Sequence, residues 1–149
     1  MGTEDTSAIH VWLLLMKAHQ ALEKHAMTSI ATTGLCFSDF RALELLLHKG
    51  TVPINLLGEH LSLTSGALTS MVDRLEKKEL LERQFDPNDR RVRLIHLTKA
   101  GKKLITAIFK QHSQDMEQAL SALSPKERLQ LNQLLKKAGK SAAQQLVSK

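Results

Sequence analysis

The sequence predicts a mainly α-helical fold with one small β-hairpin. Three observations carry this expectation. Apolar residues recur at helical spacing over most of the 149 residues. Only two stretches, 80–85 and 92–97, show the loose apolar alternation of strands. Between them lies Asp86-Pro87-Asn88-Asp89, whose residues preset or stabilise tight turns.

The length suits one domain, or one domain with helical extensions. Hydrophobic residues make up 42%, too many for a disordered chain. With four Phe, one Trp and no Tyr, the core must be aliphatic.

Residues 8–30 contain few helix breakers, and Ile9, Trp12, Met16, Leu22, Ala26 and Met27 can share a broad apolar face. The pattern stops at Thr32-Thr33-Gly34. Ser38 suits an N-cap for a second helix over 39–49, with Phe40, Leu43, Leu46 and Leu47 inward and Gly50 at its end. Pro53 pushes Val52 into an extended conformation. Residues 54–61 form a short helix with Ile54, Leu57 and Leu61 on one side.

Thr64 suits the N-cap of the next helix, with Leu63 and Leu68 placed as a hydrophobic staple. Leu68, Met71, Val72 and Leu75 follow the core-facing spacing. The hairpin comes next. Thr98 then caps a long helix reaching about residue 121, with Leu104, Ile105, Ile108, Phe109 and Met116 inward. Ser124-Pro125-Lys126-Glu127 is a capping box with Pro at the first helical position. The last helix carries Leu129, Leu131, Leu134, Leu135, Ala138, Ala142 and Leu146.

Charge points to a polyanion. Residues 74–103 hold ten Lys/Arg against five Asp/Glu, whereas the whole chain nets only +6. The excess sits on one helix and one hairpin, which fits DNA better than an evenly spread charge does. On the helix, Ser65, Thr69 and Ser70 can hydrogen-bond base edges, and Gly66 leaves room for close approach. Arg74 can clamp a phosphate or reach a guanine, and Lys77 and Lys78 would lie near the backbone. At the hairpin tip, Arg90 is the candidate for minor-groove insertion. Arg91 touches phosphate or pairs with Asp89 to stiffen the tip, and Arg93 adds to the basic strand.

A DNA-reading part needs only about residues 34–99. The helical segments at 6–32 and 100–147 carry apolar stripes that so small a core cannot bury. Two copies intertwined through these helices would bury them and would place two recognition helices about 34 Å apart, one DNA turn. The monomer with self-packed helices is the competing arrangement.

The run from Leu61 to Gly101 closely resembles the MarR family of bacterial winged-helix transcription regulators. The motifs are LSLTSGALTSMVDRLEKKELLER for the recognition helix and DPNDRRVRLIHLTKAG for the wing. The resemblance implies a winged helix-turn-helix with N- and C-terminal dimerisation helices. It implies a homodimer on a palindromic operator, usually a repressor released by a small, often phenolic or anionic effector. It also implies that Arg90 enters the minor groove, while Ser65, Thr69, Ser70 and Arg74 face the major groove. Two positions depart from the family. Ser70 stands where many members carry Arg. Glu79 stands where members usually carry Gly, at a cost of about 1 kcal/mol if its backbone is left-handed.

An effector pocket would be lined by Trp12, Met16, His19, Phe40, Arg41 and Phe109, each of which also suits plain core or surface. Cys36 is the only thiol, so an intramolecular disulfide is excluded. It reads either as a small buried hydrophobe or as the centre of a redox-responsive regulator. His and carboxylate one turn apart (His19/Glu23, Glu44/His48) and His112 do not build metal-ligand spacing, so no metal or other cofactor is expected. Nor is an enzyme expected, because no nucleophile–base pair or phosphate-cradling loop is visible. A non-specific architectural DNA coat and a helical protein-interaction module are the remaining alternatives. The start, MGTEDTSAIH, lacks the basic and small-residue features of a secretory signal, although Met1-Gly2 with Thr6 fits a short myristoylation pattern. No apolar run reaches the length of a membrane span, and a cytoplasmic chain is expected.

Overall fold

In a computed structural model describing residues 5–148, nine elements follow in order. They are α1 (Ala8–Ala31), α2 (Phe37–Lys49), β1 (Val52–Pro53), α3 (Ile54–Leu61), α4 (Ser65–Lys77), β2 (Leu81–Phe85), β3 (Arg93–Leu97), α5 (Lys99–Ala119) and α6 (Pro125–Val147). The mainly helical fold with a hairpin is as expected. Both hairpin strands start one residue later than the alternation suggests. The Met1-Gly2 acylation pattern lies outside the described residues.

The chain divides into two compact units between residues 116 and 117. In the first, Phe40, Leu43 and Leu46 of α2 meet Leu57 of α3, Met71, Val72 and Leu75 of α4, Leu81, Ile95 and Ile105 in one aliphatic core. Three antiparallel strands lie in the order β1-β3-β2, with Val52 opposite Ile95 and Arg83 opposite Ile95 on the other side. The short extended piece before Pro53 thus becomes an edge strand, where a missing N–H does no harm.

One cap differs from expectation. α2 begins at Phe37, and its N-cap is Cys36, which makes no side-chain cap bond. Ser38 lies inside the first turn, its hydroxyl 3.2 Å from Cys36 Sγ. Gly50 does end α2, at φ 75°. Thr64 caps α4 by accepting from Ala67 N at 3.3 Å, and Thr98 caps α5 by accepting from Gly101 N at 2.9 Å.

α1 buries only Ala26 and Ile30. Ile9, Trp12, Met16 and Met27, expected to share a broad apolar face, are all exposed. In the second unit, Ser124 and Glu127 complete the capping box of α6. Arg128 pairs with Glu117 and donates to the Leu120 and Leu123 carbonyls. No residue of α6 is buried, and Leu129, Leu134 and Leu146 all stand in solvent.

The end of α4 explains the Glu79 departure. Leu80 N donates to Leu75 O and Glu79 N to Glu76 O, the paired bonds of a Schellman cap. That cap requires a left-handed residue, and Glu79 adopts φ 59°. Three residues beyond Thr98, a Cβ on Gly101 would lie 1.8 Å from the Leu80 carbonyl oxygen, so only glycine allows α5 to start there.

Two expected outcomes follow from this junction. Glu79→Gly raises unfolding free energy by about 1 kcal/mol in chemical denaturation. Gly101→Ala lowers it by about 1–3 kcal/mol, because backbone must move to admit the methyl group. Unchanged midpoints in either variant would contradict the geometry.

Candidate nucleic-acid interface

α4 presents two different faces because its apolar residues repeat at helical spacing. Leu68, Met71, Val72 and Leu75 are buried, while Ser65, Gly66, Thr69, Ser70 and Lys77 are exposed. A Cβ built on Gly66 meets nothing within 4 Å, so this part of the face is open. Thr69 Oγ1 donates to Ser65 O at 2.9 Å, so its hydroxyl proton is taken by the helix backbone.

Arg74 needs a different account from the free DNA contact expected of it. Its Nε donates to Asp39 Oδ2 at 3.1 Å and its Nη2 to Asp39 Oδ1 at 2.5 Å. Asp39, in the first turn of α2, is 1% exposed. The Asp39 hydrogen bonds hold the Arg74 guanidinium charged and push its pKa up. Nη2 also lies 3.7 Å from Cys36 Sγ. Cys36 itself is exposed, so it is not the buried hydrophobe of one sequence reading. The side chain of Arg74 is committed to α2, although 42% of it still meets solvent.

A second bracket ties α4 to the hairpin. Arg83 on β2 pairs with both Asp73 and Glu76, and its backbone N donates to Glu76 Oε1 at 3.1 Å. Adjacent residues of α4, Asp73 and Arg74, therefore fasten it in two directions.

The wing tip is organised by its acids. Asp86 Oδ1 accepts from Asn88 N at 2.7 Å, and Asp89 Oδ1 accepts from Arg91 N at 3.0 Å and from Arg91 Nε at 3.2 Å. Asp89 is thus a tip organiser rather than a free DNA contact. Of the two roles open to Arg91, the structure shows the pairing with Asp89. Arg93 lies over the Phe85 ring, 3.6 Å from its centroid, which holds its guanidinium against the wing. Arg90 is exposed at the turn, and neither it nor Lys77 makes an ion pair among the described residues.

A cleft of about 220 Å³ opens between α1, α2 and α5. His19, Phe40 and Arg41 line it, together with Glu23, Glu44 and His112. Phe40 is also core, packed edge-on against the His112 ring at 4.9 Å. His112 Nδ1 is buried without a hydrogen-bond partner. The other three expected lining residues lie elsewhere. Trp12 and Met16 sit on the exposed stretch of α1, and Phe109 packs edge-on against His48. Among the described residues no group of three or more His, Cys, Asp or Glu is placed to hold a metal.

Sequence reasoning missed Asp39, Arg83, Phe85 and Glu76. A first-turn acid such as Asp39 reads as an ordinary helix-dipole partner, and its true partner lies 35 residues away. Only the spacing of Asp73, Glu76 and Arg83 hinted at the second bracket.

Residues 38–92 match the MarR family. The chain is 36% identical over 137 residues to the HTH-type transcriptional regulator MhqR of Bacillus subtilis (strain 168), covering 92% of this chain and 94% of that one. Among solved structures, a mutant MarR from E. coli complexed with operator DNA matches at 26% identity and TM-score 0.77, covering 92% of this chain and 99% of the other. NadR in complex with 4-hydroxyphenylacetate matches at 26% and 0.77, covering 94% and 99%.

The tip makes a pH prediction. Its hydrogen bonds to the Arg91 backbone and side chain hold the Asp89 carboxyl below its ordinary pKa. A depressed carboxyl stabilises the ordered tip above the ordinary range, and that contribution is lost as pH falls through the lowered value. The Arg91 amide resonance should therefore titrate with a midpoint below about 3.9, the ordinary Asp value. A midpoint at or above it would count against the Asp89 bonds.

Proposed function

This chain belongs to the MarR family, as a DNA-binding transcription regulator and not an enzyme, and we propose that it works as a dimeric repressor loosened by a small-molecule effector. The observation that carries the DNA reading is the pairing of an exposed small-polar face on α4 with Arg90, exposed at the wing tip and without an ion pair among the described residues. Ser65, Gly66, Thr69 and Ser70 would enter the major groove, Lys77 would meet the backbone, and Arg90 the minor groove. Arg91 and Arg93, each held on the wing, would add phosphate contacts. Arg74 would contribute through the exposed part of its guanidinium while anchored to Asp39.

Residues 34–99 would form the DNA-reading part, and the helices over 6–32 and 100–147 the dimerisation part. Support comes from the apolar residues left in solvent: Trp12, Leu13 and Leu14 on α1, and Leu129, Leu134 and Leu146 on α6. Each such side chain gains about 1.5–3 kcal/mol on full burial, which a second copy would supply. A palindromic operator follows from the twofold axis. No described helix is long and apolar enough to cross a membrane, and the proposed place of work is the cytoplasm.

The effector site would be the cleft between α1, α2 and α5. Arg41 and the unsatisfied His112 Nδ1 suit an anionic or hydroxyl-bearing aromatic compound, the kind of ligand present in the NadR structure. Trp12, Met16 and Phe109 do not line this cleft in the single chain.

Selection of bound duplexes from a random pool tests the reading. The expected result is enrichment of two half-sites one helical turn apart, bound by a species of twice the chain mass in sedimentation. Arg90→Ala should reduce the salt slope of log K by about 2, about 1 for each of the two wings of the bound dimer. Equal affinity for all sequences would instead favour a non-specific DNA coat.

A second reading, release through the thiol, is favoured by the exposed Cys36 Sγ lying 3.7 Å from Arg74 of the recognition helix. Alkylation of Cys36 that leaves operator binding unchanged would remove it.

A further inference from the structure

We propose that Asp39 is a positioning residue for DNA recognition, setting the attitude of α4 through its two-pronged grip on Arg74. The proposal rests on the DNA-binding reading above and goes beyond it to a residue that never touches DNA.

Three observations carry it. Asp39 is 1% exposed, and both its oxygens are taken by one guanidinium, at 3.1 and 2.5 Å. A fork-to-fork pair fixes direction as well as distance, which a single contact does not. Arg74 lies one helical turn beyond Ser70, so holding it fixes the rotation of α4 and with it the outlook of Ser65, Thr69 and Ser70. Its neighbour Asp73 is held from another side by Arg83 of β2, so rotation about the Arg74 contact is also blocked.

Electrostatics makes the point sharper. A carboxylate behind a DNA-facing helix repels the duplex, and buried ion pairs can often be replaced by apolar residues without loss of stability. A negative charge in this place is a cost to affinity unless its geometry returns more than its field removes. The two effects have opposite signs, so one substitution separates them. Long-range electrostatics predicts that Asp39→Asn binds every duplex more tightly. Positioning predicts weaker binding to the preferred duplex alone.

The test uses the full-length protein, a duplex selected by the wild type and a random duplex of equal length. Asp39→Asn is expected to weaken selected-duplex binding about tenfold while random-duplex affinity stays within about twofold. Arg74→Lys keeps the charge but loses the fork, and should show the same split. The double variant should be no worse than either single, because both act through one contact. Tighter binding of Asp39→Asn to both duplexes, wild-type behaviour of Arg74→Lys, or multiplied losses in the double variant would each overturn the proposal. Should thermal melting show Asp39→Asn unfolded, Asp39→Glu decides in its place: it keeps the charge but displaces the fork, and it should show the same split while Arg74 is unchanged. A wild type with no duplex preference would instead overturn the regulator reading, a result distinguishable from failure of Asp39 alone.

Discussion

α4 is held by charge at two consecutive residues, and the exposed face it presents takes its orientation from those contacts. α4 buries four apolar side chains, but apolar packing alone leaves a helix free to roll and slide by small amounts. Asp73 and Arg74 point about 100° apart around the helix axis, and each meets an opposite charge on a different element. The energetic share of this is moderate. Breaking a fully buried pair costs about 3–5 kcal/mol, and water reaches enough of Arg74 to reduce that figure. What the pairs supply above all is a unique orientation.

The same pairing revises the meaning of the basic window. Counted along the chain, residues 74–103 look like a broad cationic surface. In the fold, Arg74 and Arg83 are turned against carboxylates, Arg91 braces a tip, and Arg93 covers a ring. Much of the charge builds the scaffold. The other six, Lys77, Lys78, Arg90, Lys99, Lys102 and Lys103, face outward with no ion pair among the described residues. The cations free to release counterions on contact are thus fewer than the ten counted along the chain.

Local chemistry is legible in the sequence wherever both partners lie within a few residues. The Ser124 capping box, the Thr64 and Thr98 caps, the Gly50 terminus and the wing turn all belong to this class. Ser38 misleads because two hydroxyl or thiol residues flank the start of α2 and neither makes a cap bond. The Asp39–Arg74 contact is illegible because it joins elements 35 residues apart, and a surface acid and a surface base carry no label of their partner. Trp12 and Met16 mislead for the opposite reason. Their apolar spacing is real, but it faces away from the single-chain core rather than toward a cleft.

The Thr98 hydroxyl donates to the Glu79 carbonyl at 2.6 Å while accepting from Gly101 N. With the Leu80 carbonyl wedged against Gly101, the last residues of the reading helix and the first turn of α5 form one joint without slack. α5 is 21 residues long, a rod of about 30 Å. Such a rod acts as a lever: a tilt of about 5° sweeps one end through about 3 Å relative to the other. A tilt of α5 within residues 99–116 would therefore bear directly on a joint fixed by two hydrogen bonds and a backbone contact with no room for a side chain.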